Sequence, residues 1–382
     1  MNGRRAATGA EDTRFIGLMS GTSLDAVDAV LVECAESGLR VLDHHSEPIP
    51  DPLRTDLTAL CQPGAITGDP VDRIGTADRQ MGELLADAVL ALLAAAKIPA
   101  DRIAAVGSHG QTVRHRPPDG STGHPFTLQI GDPNCIAART GIVTVADFRR
   151  RDIALGGQGA PLVPPFHAAA FRHPEIDRAV VNVGGIANIT LLPAAGETTG
   201  FDVGPGNCLL DAWARRHLGQ PYDDAGAWAS AHTPDPTLLR SLLEHPFFER
   251  APPRSTGRED FHLAWLDTRL QGFPHLSPGV VQATLLALTA AALARALEQY
   301  SSAAEVYLCG GGARNCALLD DLTRRLRPRT VATTAALGLD PQWVEAAAFA
   351  WLARETLGGR PGNLPSVTGA RRATVLGGIY LP

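Results

Sequence analysis

A chain of 382 residues, 45% hydrophobic and 19% charged, has an ordinary globular composition and is long enough to call for two domains rather than one core. Its formal net charge of −6 leaves no basic footprint for a nucleic acid. Cys34, Cys61, Cys135, Cys208, Cys309 and Cys316 form neither a C-x-x-C pair nor a zinc spacing, so they read as reduced thiols of a cytoplasmic protein.

The opening segment, residues 1–13, is small and polar, without the apolar run of a signal peptide, and is expected to be a disordered tail. Strands are expected at Phe15–Leu18, Ala29–Glu33 and Arg40–Glu47, the first two forming a hairpin around Ser20–Ser23. Val71–Ala96 reads as a helix. Its Leu84–Ala96 stretch comes nearest to a membrane span but is too short, so no span is expected. Ala104–Ser108 is a strand ending in SHGQT, and strands at Thr127–Ile130 and Ile142–Ala146 flank a further helix. Asp147–Pro164 is a loop dense in charge and glycine. Ala179–Val183 and Ile189–Leu192 form a second hairpin around Gly184 and Gly185, repeating the opening plan. GFDVGPGN then leads into a helix near Leu209. Pro234–Phe273 reads as irregular helix, with Arg254–Arg258 a surface loop. Pro278–Tyr300, Asn315–Arg327 and Val344–Glu355 are helices, Val306–Cys309 is a strand, and Thr368–Pro382 returns to the first domain. Strands alternating with helices give an α/β class. The domains are expected at 14–150 with 366–382, and at 151–365.

Three glycine-rich phrases carry the chemistry: GTSLDAVD (21–28), NVGGIANIT (182–190) and CGGGARN (309–315). Glycine admits close backbone approach, and successive N–H groups in such turns cradle phosphate oxygens. Lys97 is the only lysine and no G-x-x-x-x-G-K-[ST] motif exists, so phosphate must be held by backbone N–H groups, hydroxyls and a divalent metal. ATP contacts are therefore expected at Ser20, Gly21, Thr22, Ser23, Asp25, Asp28, Gly184, Gly185, Asn188, Gly204, Gly310, Gly311, Gly312 and Asn315. Asp25 is the candidate Mg²⁺ carboxylate, directly or through water, or else a turn cap. Gly310–Gly312 would let an adenine ring lie against backbone, while Asn315 touches ribose or, more simply, caps the next helix.

Asp202, beside Phe201 and before two glycines, suits a general base that takes a proton from water or a hydroxyl; its plainer role is a helix cap. Ser108, His109 and Gln111 at a strand end are placed to hydrogen-bond a sugar. Asp147, Arg149, Arg150 and Asp152 form a charged group whose arginines suit a carboxylate substrate.

These phrases, with VADFRRRDIALGGQGAPLVPPFH and PGNLPSVTGA, resemble the anhydro-N-acetylmuramic acid kinases of the sugar kinase, actin and heat-shock chaperone superfamily. The resemblance runs from Gly17 to Ala370. It implies a two-domain actin-like fold with an ATP and sugar cleft between the domains. It also implies ATP and Mg²⁺ as cofactors, an amino-sugar substrate, a homodimer and a cytoplasmic role in cell-wall recycling. The implied reaction phosphorylates O6 of 1,6-anhydro-N-acetylmuramic acid while water, activated by Asp202, opens the anhydro bridge. The family commonly has glycine where this chain has Ala26. A kinase for another amino-sugar hydroxyl and a non-catalytic ATP-switched actin-like protein are the alternatives.

Overall fold

The computed structural model describes residues 13–21, 24–35, 38–62, 68–118, 123–252, 254–257 and 260–382. Two compact units account for the chain. Unit 1 comprises residues up to 162 with 345–363 and 370–382, and unit 2 comprises 163–344 with 364–369. Residues 151–162 and 345–363, expected in the second domain, thus group with unit 1.

Unit 1 contains strands β1 (Thr13–Ser20), β2 (Ala26–Ala35), β3 (Gly38–Pro48), β4 (Ile103–Ser108), β5 (Gln111–Arg116), β6 (Phe126–Ile130) and β7 (Thr144–Ala146). β1 and β2 form an antiparallel hairpin, β3 continues it, and β4 and β7 add on the other side of β1 in parallel. A last strand, Gly378–Tyr380, pairs antiparallel with β7, while β5 and β6 form a separate ribbon. Side chains alternate across a strand, so the two faces of β1 bury different partners. Ile16 and Leu18 join Val27, Ala29 and Leu31 in a core with Met81, Leu85, Val89 and Leu92 of the helix Pro70–Ala96. On the opposite face Gly17 stands directly across from Gly107, and the helix Val344–Leu357 presses its backbone onto both. No side chain fits there, which is why the strand interior tolerates two glycines.

Unit 2 repeats the plan. Strands β8 (Arg178–Val183), β9 (Ile186–Leu192) and β10 (Thr199–Pro205) run antiparallel in series, and β11 (Glu305–Cys309) and β12 (Thr330–Thr333) extend β8 in parallel. The α/β class is borne out twice over. The helix Pro278–Tyr300, capped by Ser277 on Val280 N, lies in the core of this unit among Val203, Leu210, Leu242 and Leu318. Its length and mean hydropathy of 1.7 are those of a membrane span, which corrects the expectation that no apolar stretch approaches that length. With 83% of that apolar window buried within the fold, it serves as a core helix.

Candidate active site

In unit 1, Gln111 and His109, two of the predicted sugar residues, are each tied to the end of β1. Ser20 Oγ, at the end of β1, donates to Gln111 Oε1 at 2.6 Å. His109 N donates to Leu18 O at 3.1 Å, tying the turn after β4 to β1. Arg149 donates to His109 Nε2 from Nε at 3.1 Å and from Nη2 at 2.9 Å. An arginine only donates, so Nε2 is the acceptor and the imidazole proton sits on Nδ1, 2.8 Å from Gly110 O. Burial first, and the Arg149 charge second, hold His109 well below its usual pKa, in keeping with this neutral tautomer. Its ring lies 4.7 Å from that of Phe349. Arg149 also donates from Nη1 to Gly159 O at 2.8 Å, and burial draws its guanidinium down to about 10, still a cation at neutral pH. The charge of Glu345 opposes that shift most, ahead of Asp152.

Asp152 is a strut. It is fully buried, its Oδ2 accepts from Gly159 N at 2.8 Å and its Oδ1 from Asn363 Nδ2 at 2.7 Å. Gly157 packs so tightly on this carboxylate that a Cβ would stand 2.8 Å from Cγ. Asp152 thus shapes the GGQG loop, and Asn363 is a partner that sequence reasoning missed. Asp147 adopts φ 59°, a strained left-handed conformation for a non-glycine residue, and burial raises its pKa against the lowering effect of Arg150 3.6 Å away. Arg150 is exposed. Ser108 Oγ is buried with no hydrogen-bond partner among the described residues.

Thr22 and Ser23 lie outside the described residues. Gly21 O accepts from Leu24 N, and Asp28 accepts from Ser46 Oγ at 2.7 Å. Ala26 opens β2 opposite Pro48, with nothing in the pairing that calls for glycine. Asp25 is exposed, and no group of three metal-binding side chains occurs among the described residues. Magnesium arriving on nucleotide phosphates needs one or two carboxylates plus waters. An exposed Asp25 beside the turn fits that requirement, and a protein-only cage is not present among these residues.

In unit 2 three glycine turns meet. Gly184 O accepts from Asn207 N at 2.8 Å, and Gly185 O accepts from Gly206 N at 3.0 Å and Cys208 N at 3.1 Å. A Cβ on Gly206 would stand 3.2 Å from Ala187 N and closer still to Gly184 O, so only glycine fits. Gly310 and Gly312 close on Asn182 and Val183, while among the described residues Gly311 has the side-chain amide of Asn207 as its only neighbour within 4 Å of a Cβ. Asn315 Oδ1 accepts from Leu318 N at 3.0 Å, so it caps the helix Cys316–Arg325. Gly206 and Asn207 belong to this crevice although only their phrase was singled out in the sequence.

Asp202 is a strand residue, not a helix cap. It pairs with Asn188 across β9, which pairs with Asn182 on β8, so the three polar side chains share one face in one row. A bulge after it brings Gly204, at φ 148°, opposite Ala187. The Asp202 carboxylate accepts from Thr256 N at 3.0 Å. Arg254, expected in an exposed surface loop, instead packs against Asp202 and Phe201.

The family profile for anhydro-N-acetylmuramic acid kinase matches residues 13–382. The chain belongs to that family. It is 52% identical over 367 residues to the anhydro-N-acetylmuramic acid kinase of Shewanella pealeana, covering 96% of this chain and 98% of that one. It is 50% identical to the enzyme of that name from Coxiella burnetii, covering 96% and 97%. Among solved structures, an Acidaminococcus fermentans 2-hydroxyglutaryl-CoA dehydratase component aligns with a TM-score of 0.47 and 12% identity over 88% of this chain and 96% of that one, a likeness too slight to argue from. Family membership makes the chain a phosphotransferase. The charged loop 147–159 and the Asp202 phrase, which the resemblance singled out, are each held by polar contacts.

Proposed function

We propose that this chain transfers the γ-phosphoryl group of ATP to O6 of 1,6-anhydro-N-acetylmuramic acid while water opens the anhydro bridge. Asp202 takes a proton from water, whose oxygen bonds to C1 as the bond from C1 to the bridging oxygen breaks. The electron pair stays on O6, which attacks the γ-phosphorus, and ADP leaves. Phosphoryl transfer of this kind asks for positioning and charge neutralisation more than covalent help. The single observation that supports the reading most is the Asp202 carboxylate, anchored by a backbone N–H and aligned with Asn188 beside the glycine turns.

The glycine turns supply N–H groups and hydroxyls for the nucleotide, with Asp25 as the carboxylate for Mg²⁺, which neutralises phosphate charge when bound. Of the sugar candidates, both ring nitrogens of His109 are committed to Gly110 and Arg149, so Gln111 and Ser108 Oγ, unpartnered among the described residues, are left to meet the sugar. Three of the five Arg149 donors are committed to His109 and Gly159. The exposed Arg150 is therefore the more accessible partner for a lactyl carboxylate, with Arg149 holding the site in shape. On the same reading the protein acts as a homodimer in the cytoplasm, recycling cell-wall fragments.

The test is ADP release with magnesium-ATP and the anhydro sugar, run beside N-acetylmuramic acid, with products weighed by mass spectrometry. The anhydro sugar alone should turn over, its product gaining both a phosphate and a water. Equal turnover of the plain sugar would refute coupled ring opening.

A further inference from the structure

β10 is the outer strand of its sheet, so its far edge carries backbone groups with no strand to pair with. At Asp202 that edge is filled by one residue twice over. Asp202 N donates to Arg254 O at 3.1 Å, and Arg254 Nε donates to Asp202 O at 3.0 Å. Two residues further, Thr256 N reaches the carboxylate Oδ2. Backbone and side chain of Asp202 are thus held from a single short loop.

Arg254 is itself tightly tied. Its Nη1 donates to Arg250 O at 2.6 Å and to Phe248 O at 3.5 Å, at the end of the 3₁₀ turn Pro246–Glu249. Its guanidinium carbon lies 5.4 Å from the centre of the Phe201 ring and 5.1 Å from that of Phe247. Phe201 directly precedes Asp202. Phe248 bears on the bulge just after it, where a Cβ on Gly204 would stand 2.7 Å from the Phe248 ring. The strand is therefore clamped on both sides of Asp202 by the turn and loop that Arg254 joins.

We infer that Arg254 is a positioning residue for the general base: it locks β10 at Asp202 and holds the loop whose Thr256 N–H aims the carboxylate. The inference rests on the proposed role of Asp202 as base. A carboxylate fixed by a backbone donor keeps one orientation, which a base requires. A lysine cannot replace this arginine. Its ammonium is a point charge without the planar fork that serves two carbonyls and a lateral acceptor together.

Arg254→Ala and Arg254→Lys, made in the full chain with and without Asp202→Asn, test it. Misplacing a reacting group by about 1 Å costs about 10²-fold, so kcat of either variant should fall about 10- to 100-fold while KM for ATP stays within about twofold. In the Asp202→Asn background the further loss should be less than about twofold, since Arg254 acts through Asp202. If the alanine variant does not fold, the lysine variant, which keeps the stem and charge between the rings, yields the same readings. A kcat within twofold of the parent, or equal losses in both backgrounds, would overturn the inference. A fully active Asp202→Asn would overturn the base assignment instead, a distinct result.

Discussion

The same substitution should have opposite signs at two glycines of unit 1. Gly107, on β4, faces the helix Val344–Leu357, and a Cβ there would stand 2.8 Å from the Phe349 carbonyl carbon and closer still to its oxygen. Its cross-strand neighbour Gly17 meets the same helix, with Ala350 N 2.7 Å from a Cβ. Both obstacles are backbone, so neither can rotate away, and the helix must retreat by roughly 1 Å or more to clear the Phe349 carbonyl oxygen for Gly107→Ala. Overpacking of a tight core costs about 1–3 kcal/mol, and rigid backbone puts this case near about 3 kcal/mol. For a unit of this size, at about 2–4 °C per kcal/mol, Tm should fall by about 6–12 °C. Gly75 lies exposed inside the helix Pro70–Ala96 with nothing within 4 Å of a Cβ. There alanine saves backbone entropy, and Gly75→Ala should gain about 0.5–1 kcal/mol and raise Tm by a few degrees. Thermal melts by circular dichroism read both. If Gly107→Ala melts within 2 °C of the parent, or the two variants shift the same way, then close helix–strand approach is not what selects glycine on β1 and β4.

Three further outcomes follow, two of them from the site. Asp202→Asn should lower kcat by about 10²-fold or more, the scale of general-base catalysis, while calorimetry shows ADP binding retained; near-parent turnover would remove the base. Arg150→Ala should raise KM for the sugar and spare KM for ATP, whereas Arg149→Ala should also lower kcat, because it releases His109 and Gly159 together; identical kinetics in the two variants would refute this division of roles. Burial pushes His167 down to about 3, with its Nδ1 2.8 Å from Thr190 Oγ1. The unfolded chain then binds a proton that the folded one refuses, so stability is full above about 6.5 and is lost as pH falls below it, at about 1.4 kcal/mol per unit. Urea unfolding at pH 6.5 and pH 5 should differ by about 2 kcal/mol from this group, with His115, held near about 4, adding in the same direction. His167→Gln should flatten the dependence; an unchanged slope would show that His167 is not its source.

Short-range signals made much of this protein legible in its sequence. Hydrophobic runs broken by glycine located the two hairpins, because strand period and turn chemistry are local properties. The absence of lysine beside any glycine loop pointed to backbone and hydroxyl phosphate binding. The GSHGQT and DFRRRD phrases carried family-level information, and the structure joins them through the His109–Arg149 contact.

Other features depend on atoms brought together from distant stretches of chain. Asp152 reads in sequence as a ligand for substrate, yet burial and two hydrogen bonds, one to Asn363 some two hundred residues away, make it a strut. Arg254 reads as a surface residue because charge and proline around it mark a loop. Only the free edge of β10, with unpaired backbone groups to satisfy, turns it inward. The helix Pro278–Tyr300 has the composition of a membrane span, and its place in a core follows from the sheet and helices that cover it. Residue type and spacing thus determined which chemistry this chain can attempt, since those follow from local propensity. Burial and cross-strand register decided which of the same residues face a ligand and which hold the others in place.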